Sequence, residues 1–350
     1  MSKWIEASHD ERLLMLRTVS EEMGFVDCAA EKDWWVSLVL KALFSLPCAP
    51  YLLFKGGTSL SKGWNLIKRF SEDIDLTLSR RFFQDIRHLP FAGCANNQQI
   101  KKLRMSSRDF IIKELTPELD AAIRSFGVVD FSLQPVLTVE KADGTFVPVD
   151  HDSDPTTLLL SYHSIVENQL DYVPPVVKIE ISCLGMDEPY EERSISSLIA
   201  DYFLEEDDEM ITTVPTVLPT RTFLEKAFLL NEEFQRREPR YVRMSRHLYD
   251  LEKLMDTSFA ADALQNIQLY EQIVAHRKRF YHVGGVVYEK DMPQSIDFLP
   301  SGTLSDKFRS DYTEMLNTYI YEKNTAPSYD YLIMRLTELR KRLNSIDIQI

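Results

Sequence analysis

The chain has 350 residues, of which 44% are hydrophobic and 11% aromatic, and it carries a formal net charge of −14. This composition can bury a sizeable core and excludes general disorder, and the length predicts two domains. The negative charge excludes a general nucleic-acid coat protein, because such proteins bind by neutralising phosphates.

The first part of the chain predicts helices and short strands. Apolar residues at helical spacing predict helices at 10–24 and 30–46, and the second ends at Pro47 and Pro50. These prolines interrupt the most apolar segment of the chain, so no membrane span is expected. The patterns that follow predict a buried strand in "YLLF" (51–54), a helix at 58–67, a strand at 74–78 and a helix at 100–115.

Further strands are expected in the middle of the chain, in "VVDFSLQPVLTVE" (128–140), "TLLLSYHSI" (157–165) and "PPVVKIEISC" (174–183). In the last of these, Ile179 and Ile181 face one way. Lys178, Glu180 and Ser182 face the other way. An acidic run, "LEEDDEM" from Leu204, then concentrates negative charge.

The proline-punctuated segment "DDEMITTVPTVLPT" (207–220) predicts a domain junction, beyond which the chain turns helical. Thr222 and Glu225 have the spacing of a capping box that opens the first of these helices. The predicted helices lie at 223–235, 241–256, 261–280, 305–323 and 328–345. The sequence therefore predicts an α+β fold, with a first domain at 1–212 and a mainly helical domain at 213–350.

The stretch "FKGGTSLSKGWNLIKRFSEDIDL" (54–76) carries two features that suggest chemistry. Gly56 and Gly57 follow a strand and precede hydroxyl residues, a pattern that lets backbone N–H groups approach a phosphate, although such a pair is more often only a tight turn. Asp73 and Asp75 share one face of a strand, where a divalent cation such as Mg²⁺ would relieve their repulsion. An isolated pair of this kind is more often a solvated strand face.

The two features in this order resemble the DNA polymerase β-like nucleotidyltransferases, and most closely the AbiEii/AbiGii toxin family. The resemblance is strongest over residues 54–78 and returns in "FLEKAFLL" (223–230) and "RHLYDLEKL" (246–254). It implies a mixed sheet flanked by helices. It also implies a Mg²⁺-dependent toxin of a bacterial toxin–antitoxin or abortive-infection (phage-defence) system, which transfers NMP from NTP to RNA, at the tRNA 3′ end, and blocks translation.

Carried onto this chain, the resemblance assigns the NTP to the segment Lys55, Gly56, Gly57, Thr58 and Ser59. It assigns two Mg²⁺ ions to Asp73 and Asp75, with Glu180 as a third carboxylate unless that residue is only a polar position on a strand. Lys226, which would add positive charge on the triphosphate, and Asp250 would complete the catalytic cleft from the helical domain. The family often has arginine and aspartate where His247 and Leu248 stand here, and Asp250 could instead pair with Arg246 at i,i+4.

The acceptor and the partners follow less directly from the residues. A dense arginine run indicates an RNA-binding strip, although it could equally be a solvated helix face; its members are Arg236, Arg237, Arg240, Arg243 and Arg246. The resemblance also implies an antitoxin encoded nearby, and we expect a monomer. Transfer to a small molecule or a protein hydroxyl is the alternative activity. A catalytically silent interaction module is a third possibility, against which the intact Asp73 and Asp75 speak.

The cysteines bear on the compartment. Cys28, Cys48, Cys94 and Cys183 lie far apart without a CxxC pair. This spacing favours reduced thiols in a cytoplasmic protein over a disulfide framework or a zinc site. With no signal peptide pattern at the N-terminus, we expect a cytoplasmic protein.

Overall fold

A computed structural model describes residues 3–24, 26–141, 143–167, 173–186, 189–203, 210–281, 283–318, 320–321 and 325–346. The chain divides into two compact units, the first made of Met1–Gly63 and Ser71–Thr216 and the second of Trp64–Phe70 and Val217–Ile350. Residues 204–209, which contain the acidic run, lie outside the described part. Within that part, no helix is long and apolar enough to cross a membrane.

The first unit is built on a mixed sheet. In its described residues, seven strands form the sheet and two more form a separate hairpin. The sheet strands are β1 Leu52–Lys55, β2 Ile74–Leu78, β3 Phe131–Pro135, β6 Thr156–Tyr162, β7 Val176–Ser182, β8 Tyr190–Ile195 and β9 Thr212–Val217, and the hairpin strands are β4 Thr138–Glu140 and β5 Phe146–Pro148. Across the sheet the strands lie in the order β3-β6-β7-β2-β1-β9-β8. Strand β2 is antiparallel to β1 and parallel to β7, so the sheet is mixed as predicted.

The alternation predicted for β7 is confirmed. Val177, Ile179 and Ile181 are fully buried, whereas Lys178 and Glu180 are partly exposed. Successive side chains on a strand point to opposite faces, so the apolar set packs into the core and the polar set lines the other face. The segment expected to be a domain junction contains β9, which pairs with β1 in this sheet.

The described residues of the first unit also form helices. They are α1 Lys3–Glu6, α2 His9–Met23, α3 Asp27–Leu43, α4 Gly56–Thr58, α5 Asn97–Phe110, α6 Thr116–Ser125 and α7 Leu198–Tyr202. Helix α3 is buried along nearly its whole length, which is typical of a helix at the centre of a core. The helix predicted at 58–67 is wrong in extent, because α4 continues only as a π-helical turn that ends at Gly63.

The second unit is mainly helical in its described residues. Its helices are α8 Pro219–Phe234, α9 Ser245–Leu254, α10 Ser258–Gln265, α11 Ile267–Phe280, α12 Thr303–Thr318 and α13 Tyr329–Asn344. The segment Trp64–Phe70 joins this unit through a hydrogen bond from the backbone N–H of Tyr321 to the carbonyl of Lys68, at 2.9 Å.

Three helix boundaries differ from the predictions. Helix α8 begins at Pro219, which suits the first turn, so Thr222 lies inside the helix and the predicted capping box is wrong. Helix α9 begins only at Ser245, because Arg243 has a left-handed backbone with φ of 58°. The segment 261–280 is two helices, since the side chain of Asn266 caps the start of α11.

Candidate active site

The glycine turn lies directly against one of the two predicted metal-binding aspartates. Gly56 has φ of +80°, and a Cβ atom placed on it would lie 2.1 Å from Asp75 Oδ2. No side chain could occupy that position without displacing the carboxylate or the turn. Glycine is therefore required here both for its backbone conformation and for the close approach.

Asp75 belongs to a row of polar residues that crosses four strands. Lys55 on β1 is its partner on one side, and Glu180 on β7 is its partner on the other. Thr157 on β6 continues the row next to Glu180. Cross-strand partners share a face of the sheet, so these polar side chains form one continuous line beside the glycine turn. The sequence alone could not have given this register.

The hydroxyl groups of the turn are engaged inside the fold. Thr58 Oγ1 donates to the backbone carbonyl of Asp73 at 2.5 Å and lies 2.9 Å from Ser71 Oγ. Ser59 Oγ donates to the carbonyl of Gly56 at 2.9 Å, and both hydroxyl residues are buried. A phosphate contact by either side chain would require it to leave these bonds. The first N–H groups of a helical segment have no acceptor within it, so the backbone is the better phosphate ligand.

The three predicted metal ligands differ in their surroundings. Asp73 precedes β2, Asp75 lies within it, and both are partly exposed. Glu180 Oε1 forms an ion pair with Lys178 Nζ at 2.8 Å. Among the described residues, no group of three His, Cys, Asp or Glu side chains is arranged to hold a metal ion. The two aspartates suit a hard divalent cation, whereas Glu180 as a ligand stays a prediction.

Lys226 and Asp250 meet in the second unit, in a buried cluster with Arg69. Arg69 Nε and Nη2 each donate to Asp250 at 2.7 Å, one to each carboxylate oxygen. Lys226 Nζ lies 2.7 Å from Asp250 Oδ2, and the Asp250 side chain is fully buried. Arg69 is a partner of Asp250 that sequence reasoning missed, although it stands in the "RFSEDIDL" motif. The catalytic roles of Lys226 and Asp250 stay predictions.

The protonation states in this cluster follow from burial and charge. Burial disfavours the charged form of Asp250, but the adjacent Arg69 and Lys226 outweigh it and hold the pKa of the carboxyl below its usual value. Burial lowers the pKa of Lys226, and Asp250 counteracts part of this effect. The pKa of His247 is lowered well below its usual value, first by burial and then by Lys226 and Arg246. His247 is therefore neutral and adds no further cation.

The arginine run lies mostly in the connection between α8 and α9, and of its five members only Arg246 lies in a helix. The alternative in which the run is a solvated helix face is therefore wrong, because four of its five members lie outside a helix. Arg240 donates to Glu233 Oε2 at 2.7 Å and Arg236 lies 3.5 Å from the same oxygen, whereas Arg237 is exposed. Glu233 thus offsets part of the positive charge of the run. RNA binding by these arginines stays a prediction.

Comparisons with known proteins identify the family of the chain. The model of the family described as "Nucleotidyl transferase AbiEii toxin, Type IV TA system" matches residues 39–335. Among solved structures, the chain is similar to the nucleotidyltransferase toxin MenT4 from Mycobacterium tuberculosis H37Rv, with 16% identity and a TM-score of 0.42, over 95% of this chain and 98% of that one. A search of curated proteins found no significant match.

Proposed function

This chain belongs to the AbiEii family of nucleotidyltransferase toxins of type IV toxin–antitoxin systems, and we propose that it transfers NMP from NTP to RNA, at the tRNA 3′ end. Such a transfer would block translation in the cytoplasm. Membership of a toxin–antitoxin system implies a cognate antitoxin. The observation that carries the nucleotidyl-transfer proposal is the close approach of Gly56 to Asp75, whose Oδ2 would lie 2.1 Å from a Cβ atom placed on Gly56.

The close approach of Gly56 to Asp75 is significant because nucleotidyl transfer needs the triphosphate and the metal-binding carboxylates side by side. The turn at Gly56 and Gly57 would bind the triphosphate through backbone N–H groups, which tolerate close approach only where no side chain intervenes. Lys55 stands next to Asp75 in the polar row, where its ammonium group adds positive charge. The triphosphate would then lie at the edge of the aspartate pair.

Asp73 and Asp75 would hold Mg²⁺, for which paired carboxylate oxygens are suitable ligands. When bound, two Mg²⁺ ions would activate the attacking hydroxyl and neutralise charge on the phosphates. The chain's own contribution is to keep the two carboxylates in fixed positions. Strand β2 fixes the position of Asp75, and the hydrogen bond from Thr58 to the carbonyl of Asp73 fixes the position of Asp73 just before the strand.

Lys226, Asp250 and Arg69 form one cluster in the second unit, in which Asp250 acts through the two cations. Both carboxylate oxygens of Asp250 are used by Arg69 and Lys226, so Asp250 orients these cations and does not take part as a base. A base would need a pKa near the working pH, whereas the pKa of Asp250 lies below its usual value. We therefore propose Asp250 as a positioning residue.

The test is transfer of label from α-³²P-NTP to tRNA by the purified protein. We expect labelling that requires a divalent cation and is abolished by Asp73→Asn and by Asp75→Asn, while the melting temperature stays unchanged. Asp130→Asn, which alters an exposed aspartate of the same unit, is the matched control and should label normally. Labelling of a small hydroxyl compound instead of RNA would establish the alternative activity, and no labelling of any acceptor would refute the proposal.

A second arm tests the acceptor site. If the exposed Arg237 contacts an RNA phosphate, Arg237→Glu should weaken RNA binding and lower the log–log salt slope by roughly 0.7 to 0.9. Lys341→Glu makes the same charge change on an exposed residue of α13 and should leave the slope unaltered. An unchanged slope in Arg237→Glu would show that the run is a solvated surface.

A further inference from the structure

Helix α3 carries three consecutive charged residues in the core of the first unit. Glu31, Lys32 and Asp33 are only 2%, 2% and 5% exposed. Successive residues on a helix point about 100° apart, so the three side chains reach different surroundings. A buried charge is costly unless it is paired, and each of these is bonded to a different part of the unit.

Lys32 is bonded to the segment that carries the predicted metal ligands. Its Nζ lies 2.7 Å from Glu72 Oε2 and donates to the carbonyl of Pro174 at 3.0 Å. Glu72 is 4% exposed and immediately precedes Asp73. The ion pair therefore fixes the main chain one residue before the first aspartate.

Asp33 is bonded to the other half of the site. Lys62 Nζ lies 2.5 Å from Asp33 Oδ1, and the backbone N–H of Leu198 donates to Oδ2 at 2.7 Å. Lys62 belongs to the π-helical turn that continues from the glycine turn and ends at Gly63. Both side chains of the pair are less than a tenth exposed. This second ion pair thus anchors the glycine turn to the same helix.

The two anchored segments are also joined to each other, by the hydrogen bond from Thr58 to the carbonyl of Asp73. The Lys32–Glu72 pair, the Asp33–Lys62 pair and the bond from Thr58 thus connect α3, the glycine turn and the aspartate segment to one another. We call this set of three interactions the frame. Glu31 adds a further bond outside the frame, since it accepts from the backbone N–H of Ile165 at 2.9 Å.

We propose that Lys32 and Asp33 are positioning residues for nucleotidyl transfer: the Lys32–Glu72 pair sets the place of Asp73 and Asp75, and the Asp33–Lys62 pair sets the place of the glycine turn. This inference rests on the proposed function. Replacing a buried ion pair by neutral groups is often close to neutral for stability, so stability alone does not account for two such pairs here. The two pairs are explained if they position a catalytic site, because a displacement of about 1 Å in such a site lowers the rate by about 10²-fold.

The test uses double variants that remove both charges of a pair, so that no buried charge is left unpaired. Lys32→Met/Glu72→Gln removes the first pair and Asp33→Asn/Lys62→Met removes the second. Arg124→Met/Asp120→Asn removes an ion pair on α6 of the same unit and is the control. Should the first double variant not fold, Lys32→Gln/Glu72→Gln, which also leaves no buried charge unpaired and keeps hydrogen-bonding side chains at both positions, is measured in its place.

The first readout is hydrogen exchange of backbone amides, which requires no activity. We expect Lys32→Met/Glu72→Gln to raise exchange at residues 71–75 by about tenfold or more, and Asp33→Asn/Lys62→Met to do so at residues 56–63. The control should leave both segments unchanged. Wild-type exchange in both segments of the two double variants would overturn the inference, whether or not the protein transfers nucleotides.

The second readout separates positioning from folding. At an unchanged melting temperature, the first double variant should weaken Mn²⁺ binding, measured by electron paramagnetic resonance, by about 10- to 100-fold and lower kcat. The second double variant, Asp33→Asn/Lys62→Met, should mainly raise the KM for NTP. As a rescue of the first pair, Lys32→Arg with Glu72 intact restores both charges and should recover much of the Mn²⁺ affinity. Double variants with wild-type Mn²⁺ binding and kinetics would reduce both pairs to a structural role. If instead the wild-type protein labels no acceptor, the proposed function fails and the exchange result still decides whether the frame exists.

Discussion

Replacing Asp250 by asparagine should destabilise the second unit strongly. The fully buried carboxylate takes two hydrogen bonds from Arg69 and one from Lys226, so the amide leaves two buried cations without an anion. Removing one member of a buried ion pair costs about 3–5 kcal/mol, because the partner charge remains desolvated. Here two cations share the loss, so the upper part of that range is expected.

A loss of this size is large against the total stability of a domain, about 5–15 kcal/mol. For a domain of this length, 1 kcal/mol corresponds to roughly 3 °C, so the melting transition should fall by about 10–15 °C. The pH dependence gives an independent sign. Because the pKa of Asp250 is lowered in the folded state, its contribution is present above about pH 4 and is lost as the pH falls further. The difference between wild type and Asp250→Asn should therefore narrow in acid.

The measurement is calorimetry or circular dichroism during heating, at pH 7 and in acid. Asp262→Asn, which alters an exposed aspartate of α10, is the matched control and should shift the transition little. A variant Asp250→Asn that melts like the wild type and has lost transfer would refute the argument, because it would assign Asp250 a direct chemical role without a structural one.

Two further predictions concern residues outside this cluster. Gly56→Ala should reduce transfer far more than stability, because its Cβ would displace the Asp75 carboxylate. Gly93→Ala, whose methyl group would lie within 4 Å of no atom outside the adjacent backbone, should be neutral in the same transfer and melting assays. Burial, reinforced by the nearby Glu232, raises the pKa of Asp291 to about 8. Stability from this protonated carboxyl is present below about pH 4 and lost as the pH rises towards 8, by up to about 1.4 kcal/mol per unit. Asp291→Asn should flatten this part of the profile in urea unfolding, and an identical profile in variant and wild type would count against a protonated Asp291.

Local patterns predicted much of the fold because they depend on neighbouring residues. Strand β7 was predicted from the alternation of Ile179 and Ile181 with polar residues, and β2 was predicted with its observed bounds. The prediction of a helix at 58–67 is wrong in extent because the sequence does not reveal that the turn ends at Gly63. Near Gly63 the chain passes from the first unit to the second, a change that local periodicity does not record.

The contacts that position the candidate site could not be predicted, because they join residues far apart in the chain. Arg69 and Asp250 are separated by 181 positions, and Lys32 and Glu72 by 40. A charged residue inside an apolar helix pattern shows that a partner exists without showing which one. The motif therefore predicts roles for Asp73 and Asp75, whereas the residues bonded to the motif from elsewhere in the chain became visible only in three dimensions.

The three aspartates to which the resemblance assigns catalytic roles have different surroundings, and these surroundings separate their roles. Asp75 is partly exposed beside a glycine turn, where a cation can reach it, and Asp73 stands at the open start of the same strand. Asp250 is fully buried, with both oxygens bonded to cations of the chain itself. A buried carboxylate already neutralised by protein cations has little affinity left for a metal ion, whereas a partly exposed carboxylate is accessible to one. Binding of Mn²⁺ should therefore depend on Asp73 and Asp75 and persist in any Asp250 variant that folds.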